Sequence, residues 1–261
     1  LKAEAMPNDY ITLGLRLATG SGNPRSTNVE MGDNAAPKDF NLDQMYLTYA
    51  PSNWFEITSG KFAVPMRKTD LVFDPDLNFD GTNAYLNTKY VFGNVGGYWI
   101  DHNSLYPENN QALFMYQLGF TVPYFEPSLG YYDFTHLQYP FKVFDANISV
   151  PVKYVTLYGN FIRNTAISED NTGMLFGVRT NFKYVNLDYN YRDREACAMY
   201  ASFIDEDFAN GEPNVTGHRA NVWVSPFENT KAGIIYSQAS VDPETTKSKA
   251  NRIMVDFEVN F

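Results

Sequence analysis

The sequence predicts an all-β protein, a transmembrane antiparallel up-and-down β-barrel of about 14–16 strands. Three observations predict this fold. Aromatic residues make up 16% of the chain and charged residues 19%, a composition rich in strand formers. Apolar and polar residues alternate with a period of two along most of the chain. Short turns alternate with longer polar connections, a layout typical of membrane barrels that have short turns at one end and long loops at the other.

The composition excludes two other classes of protein. No run of about 20 consecutive apolar residues is present, so membrane-spanning helices are not expected. The net charge of -10 argues against nucleic-acid binding, because a phosphate-binding face needs clustered Lys and Arg. The single cysteine, Cys197, cannot form an internal disulfide. We expect no cofactor.

The clearest strands, in chain order, cover residues 11–17, 144–150, 174–182, 185–191 and 253–261. In the last of these, Ile253, Val255 and Phe257 alternate with Arg252 and Asp256, so one face is apolar and the other polar. Residues 1–6 resemble the end of another strand before a turn at Pro7-Asn8. An even strand total then requires one or two further strands before Leu1. We therefore expect residues 1–261 to be a single barrel domain whose N-terminal strand or strands are missing.

The connections between strands fall into two alternating classes. Short turns flanked by aromatic residues are predicted at 51–53, 92–94, 123–124, 151–153, 181–183 and 226–229. Longer polar connections are predicted at 19–39, 63–80, 102–110, 135–141, 164–171, 195–216 and 240–250. A soluble double-sheet protein is the alternative, but it does not explain this alternation. We expect the short turns and Phe261 at one end of the barrel and the long connections at the other.

Seven segments also carry a family resemblance: 15–20, 41–49, 60–62, 69–77, 203–208, 217–218 and the terminal Phe261. In order and spacing they resemble the bacterial "putative porin" family of Gram-negative outer membranes. The resemblance implies an outer-membrane location and a water-filled channel for passive diffusion of small hydrophilic solutes or ions, without catalysis. It also implies that Phe261 is the signal read by the barrel-assembly machinery. The expected partners are outer-membrane lipid, that machinery and further copies of the chain, as a trimer.

Two other functions remain open at this point. The first alternative is a barrel scaffold that holds a partner protein, for example a redox protein, across the outer membrane. The second is a barrel hydrolase, which would require a nucleophile positioned beside a histidine. The three histidines, His102, His136 and His218, lie in or beside predicted external loops and show no such constellation. We therefore expect no enzymatic activity.

The polar face of the predicted strands carries many charged residues. A water-filled lumen would remove the cost of several kcal/mol that burial of such charges otherwise carries. The alternative is a network of ion pairs that fills a narrow barrel. The charged residues are Arg16, Lys89, Arg179, Arg192, Arg219 and Arg252, with Glu56, Asp145, Asp188, Asp256 and Glu258.

Segment 66–80 is unusual among the predicted loops, because it mixes apolar residues with four aspartates. We expect it to fold inward and form the negative side of a pore constriction, with modest cation selectivity as the result. An external hairpin or a subunit contact is the alternative. The predicted constriction residues are Arg16, Lys61, Arg67, Asp70, Asp74, Asp76, Asp80, Arg179, Arg192 and Arg219.

The same segment contains a weak calcium motif. Asp74, Asp76 and Asn78 have the i, i+2, i+4 oxygen spacing of a calcium loop. However, Phe79 replaces the glycine expected next, and Tyr85 stands where the twelfth-position carboxylate should be. Solvated or Arg-paired aspartates are therefore the favoured interpretation, and we expect no metal.

Overall fold

The computed structural model describes residues 1–20, 23–26, 39–101, 110–137, 140–180, 182–241 and 248–259. These residues form fifteen strands and two short 3-10 helices, Ala201–Phe203 and Ala209–Gly211. The strands are β1 (Lys2–Asn8), β2 (Ile11–Thr19), β3 (Phe40–Ser52), β4 (Phe55–Phe62), β5 (Phe79–Asn87), β6 (Val91–Asp101), β7 (Gln111–Phe120), β8 (Glu126–Thr135), β9 (Phe141–Val152), β10 (Val155–Asn164), β11 (Thr172–Thr180), β12 (Val185–Arg194), β13 (Val215–Phe227), β14 (Thr230–Val241) and β15 (Ser248–Val259).

All fifteen strands belong to one sheet, and their order in the sheet is their order in the chain. Neighbouring strands pair antiparallel over long registers, as in the ladder that runs from Thr230↔Val259 to Val241↔Ser248 between β14 and β15. This up-and-down order confirms the predicted fold class and strand number.

The alternation of short and long connections is also confirmed. Connections after odd-numbered strands contain two to five residues, and those after even-numbered strands contain five to twenty. The last described strand ends beside a short turn, because Val259 pairs with Thr230, which directly follows the β13–β14 turn. Phe261 itself lies outside the described residues.

Two predicted turns are wrong. The turn predicted at residues 92–94 lies at residues 88–90, where the Thr88 hydroxyl donates to the Val91 carbonyl (2.8 Å) and accepts from the Val91 N–H (3.0 Å). Lys89 is therefore a turn residue and does not face inward from a strand. The turn predicted at Pro7-Asn8 lies at residues 9–10, because the Asn8 side chain accepts from the Tyr10 N–H (2.9 Å).

The exposed face of the strands carries large apolar side chains, whereas in a soluble protein such side chains are mostly buried. On β7, Phe114, Tyr116 and Leu118 are exposed, whereas Leu113 and Gln117 are buried on the other face. On β15, the predicted facing is confirmed: Ile253, Val255 and Phe257 are 70–76% exposed, and Arg252 and Asp256 are half-buried. The exposed face is thus largely apolar, as expected for strands that contact lipid. We call the opposite face of the strands the inner face.

Large aromatic side chains cover glycines on the inner face. Tyr158 lies directly across from Gly177, and a Cβ atom at Gly177 would be 2.1 Å from the Tyr158 ring. Trp223 covers Gly233 in the same way. The aromatic ring fills the space that a side chain at the glycine would occupy, and so restores the packing that glycine lacks in a strand.

The described chain groups into two compact units. The first contains Leu1–Arg67, Asp74–Phe120 and Gly130–Lys142, and the second contains Lys68–Phe73, Thr121–Leu129 and the chain from Val143 on. Segment 66–80 therefore contributes residues to both units.

Candidate functional site

A cluster of two arginines and two aspartates lies on the inner face of the second unit. The carboxylate of Asp205 accepts hydrogen bonds from Arg192 Nη1 (2.9 Å) and Arg219 Nη1 (2.8 Å). The carboxylate of Asp70 is 3.6 Å from Arg192 Nη2 and 3.5 Å from Arg219 Nη1. We call these four residues the arginine cluster.

Strand register places the two arginines together. Arg219 pairs across from Asn190, which lies two residues before Arg192 on β12, so both guanidinium groups lie on the same face. Asn190 accepts from Arg192 Nε (3.3 Å) and Nη2 (3.2 Å), and the Arg192 guanidinium also lies 4.2 Å from the centre of the Phe208 ring. Each nitrogen of the Arg192 guanidinium group therefore has a hydrogen-bond partner, either Asn190 or Asp205.

The β12–β13 connection brings Asp205 into the cluster. Its apolar residues Phe203, Ile204 and Phe208 are buried and anchor it. Asp205 accepts the Asp207 N–H (3.0 Å), which fixes the orientation of its side chain. Arg194 supports the end of the connection, since it donates to the carbonyls of Glu212 (2.8 Å) and Pro213 (3.1 Å).

Residues 68–73 bring Asp70 to the same arginines. Leu71, Val72 and Phe73 are almost completely buried. The Phe73 ring packs edge-on against Phe203 at 6.3 Å, and the Thr69 hydroxyl donates to the Asn160 side chain. The apolar residues 71–73 of this segment therefore pack against the protein.

The rest of the segment belongs to the first unit and is also paired. Lys61 Nζ lies 3.3 Å from Asp80 and donates to the Asn78 carbonyl (3.2 Å). Lys61 pairs across from Met45 and Asp80 across from Trp99, both of which are exposed, so these two predicted constriction residues lie on the exposed face of the strands. Asp43, which the sequence did not single out, binds Arg16 Nε and accepts from Asn78 Nδ2 (3.0 Å). Asp43, Lys61 and Asn78 border a cavity of about 200 Å³.

Two other predicted arginines stack on aromatic rings. The Arg67 guanidinium lies 3.7 Å from the centre of the Phe92 ring, and the Arg67 backbone is held by Gln117 through two hydrogen bonds of 3.0 and 2.7 Å. Arg179 lies 4.7 Å from the centre of the Tyr158 ring. Cation–π contact of this kind fixes a guanidinium group against the wall.

The weak calcium motif is used for hydrogen bonds instead. Asp74 is buried and accepts the Asp76 N–H (2.9 Å), while the Asn78 side-chain oxygen accepts from Gln44 (2.7 Å). Within the described ranges, no group of three or more His, Cys, Asp or Glu side chains could hold a metal ion.

The two described histidines are not members of the arginine cluster. His218 Nδ1 is 2.7 Å from the Tyr189 hydroxyl on the exposed face of the strands, and His136 directly follows β8 with a positive φ of 59°. His102 lies outside the described residues.

A family model described as "putative porin" matches residues 1–191. The chain belongs to this family. Membership confirms the resemblance and places the protein in the Gram-negative outer membrane as a porin-like barrel. No curated protein sequence matches the chain. Among the described residues, no helix is both long and apolar enough to cross a membrane.

Several solved outer-membrane proteins share the fold at low identity. Wzi of Escherichia coli, described as a carbohydrate-binding β-barrel involved in capsule assembly, is 10% identical with a TM-score of 0.69, over 100% of this chain and 70% of that one. A mutant porin of Rh. blastica is 12% identical with a TM-score of 0.63, over 100% and 88%. A loop-deletion mutant of OmpT of Vibrio cholerae is 11% identical with a TM-score of 0.61, over 99% and 88%. These likenesses support the barrel fold.

Proposed function

We propose that the protein forms a water-filled channel that passes small hydrophilic solutes or ions through the outer membrane by diffusion, without catalysis. The observation that carries this proposal is the partial exposure of charged side chains on and beside the inner face. The Arg16 side chain is 34% exposed and that of Asp70 is 41% exposed, so both groups contact water although the opposite face of the strands is apolar. Water beside the inner face is the basic requirement for diffusion of polar solutes.

We further propose modest cation selectivity, supported by the net charge of -10. The aspartates of segment 66–80 contribute less to it than their number suggests. Asp74 is buried, and Asp70 and Asp80 are paired with basic side chains. Each of these pairs reduces the field that the segment adds to the channel.

Selectivity can be tested with the reversal potential in a salt gradient. Substitution of Asp70, Asp74, Asp76 and Asp80 by Asn should shift it toward anions, with a larger shift at low salt, where screening is weak. Because Asp74 is buried, Asp70→Asn with Asp80→Asn should reproduce most of the shift. An unchanged reversal potential in the quadruple variant would place the segment outside the conducting path.

The channel itself is tested by planar-bilayer recording of the purified chain. Stepwise conductance supports the channel. A silent barrel that copurifies with a stoichiometric partner supports a scaffold, and turnover of lipid or peptide substrates supports a hydrolase.

We also propose that the protein is a single barrel domain that assembles as a homotrimer and that Phe261 guides its insertion. Cross-linking in native membranes should give a trimer band. Phe261→Ala should reduce the amount of folded barrel in the outer membrane, whereas Val259→Ala should leave it unchanged.

A further inference from the structure

The two carboxylates of the arginine cluster are held very differently. Asp205 is about 1% exposed and makes hydrogen-bonded ion pairs of 2.8 and 2.9 Å. Asp70 is 41% exposed and lies 3.5 and 3.6 Å from the same two guanidinium groups. Short charge-assisted hydrogen bonds are the stronger ones, so Asp205 fixes the arginines and Asp70 contributes a weaker contact on the water side.

The charges of the cluster make the position of Asp70 suitable for an anion. Arg192, Arg219 and Asp205 together carry a charge of about +1, which Asp70 neutralises. A single oxygen of Asp70, Oδ2, faces both guanidinium groups. If the Asp70 side chain rotated out into the solvent, it would leave a pre-oriented site for another anionic oxygen. One side of this site would be open to solvent.

The backbone around Asp70 can stay in place while the side chain turns. Thr69 is bonded to Asn160, the Val72 N–H donates to the Thr69 carbonyl (3.1 Å), and Leu71 is completely buried. Exchange at the site therefore needs rotation of one exposed side chain, which occurs in picoseconds to nanoseconds at a protein surface.

We propose that Arg192 and Arg219, positioned by Asp205, bind the carboxylate of a permeating solute, and that Asp70 occupies this site when no solute is bound. This inference rests on the proposed channel function and names a solute class for it. The class is a small carboxylate, because the group that the site already holds is itself a carboxylate.

Block of the channel by succinate tests the proposal. Potassium chloride current is recorded through the wild type, Asp70→Asn and Asp80→Asn while sodium succinate is added. Asp80→Asn is the matched control, since it removes one exposed, paired carboxylate from the same segment but leaves the arginine cluster intact. We expect the half-blocking concentration in Asp70→Asn to be about fivefold lower than in the control.

Further variants identify the site of block. Arg219→Gln in the Asp70→Asn background should abolish the tighter block by succinate. Asp70→Ala alone should show the same tighter block as Asp70→Asn. Equal block in Asp70→Asn and Asp80→Asn would overturn the proposal. Stronger block by inorganic phosphate than by succinate at equal charge would overturn the assignment to carboxylates.

A non-conducting protein separates the two proposals. If the purified chain gives no current, the channel function fails, and binding of radiolabelled succinate is measured by equilibrium dialysis of the folded protein in detergent. Tighter binding by Asp70→Asn than by Asp80→Asn then supports the site, and equal binding overturns it.

Discussion

Removal of the Asp205 carboxylate should destabilise the barrel more than removal of any exposed aspartate. Asp205→Ala leaves Arg192 and Arg219 buried without their hydrogen-bonded partner. Loss of one partner from a buried ion pair typically costs about 3–5 kcal/mol, because the remaining charge stays uncompensated. Asp70 cannot replace Asp205, since it lies 3.5 Å or more from both arginines. We therefore expect the free energy of unfolding to fall by about 3–5 kcal/mol.

The assay is urea unfolding of the protein folded into phospholipid vesicles, followed by tryptophan fluorescence. Trp223 is one of three tryptophans and lies on β13, the strand that carries Arg219, so part of the signal reports on the affected strand. Asp80→Ala is the control, and we expect it to cost about 1 kcal/mol or less, because Asp80 is 61% exposed.

The outcome that contradicts this reasoning is an Asp205→Ala variant no less stable than Asp80→Ala. It would mean that water reaches the guanidinium groups and replaces the lost carboxylate. A second test separates charge from shape: Asp205→Asn keeps the size of the side chain and should still destabilise, because the amide carries no compensating charge.

Two further predictions concern the two faces of the sheet. Val255→Arg should lower the free energy of unfolding by about 2–4 kcal/mol if the position lies near the bilayer midplane, whereas Asp256→Arg, on the inner face, should lower it less. Unfolding in vesicles measures both variants, and equal costs would contradict the lipid-facing assignment of Val255. Gly177→Ala should cost about 1–3 kcal/mol because its new Cβ collides with the Tyr158 ring, whereas Gly159→Ala has nearest contacts of 3.5 Å and should be close to neutral in the same assay.

Much of the fold could be predicted from local sequence alone. Alternation with period two, as in Ile253, Val255 and Phe257, decides which residues share a face, and this requires no knowledge of distant contacts. Turn positions are less predictable. Phe92-Gly93-Asn94 has the composition of a turn, but Phe92 covers Gly119 on the neighbouring strand and Asn94 bonds to Asn83 (3.0 Å). These cross-strand contacts override the local preference.

The candidate site could be predicted only in part. Apolar residues within an acidic loop correctly indicated that residues 68–73 pack against the protein, and Asp70 does meet Arg219. Asp205 was missed, although its connection carries the same signal in Phe203, Ile204 and Phe208. The sequence gives no means of knowing that two loops far apart in the chain bring their aspartates to the same pair of arginines. That pairing depends on the register between β12 and β13, and a shift of one residue would turn one arginine to the opposite face.

The arrangement of the arginine cluster also changes how the charge of the channel should be understood. Net charge and the number of aspartates in one loop suggest a negative constriction, but buried pairs contribute little to the field that a permeating ion experiences. In the arginine cluster, Asp205 is hydrogen-bonded to both arginines, so Asp70 is the carboxylate of the cluster that can move away. With Asp70 in contact, the cluster is neutral; with Asp70 turned away or replaced, two fixed guanidinium groups outweigh one carboxylate. In the proposed mechanism, the Asp70 side chain therefore opens the site to anionic solutes without any movement of the strands.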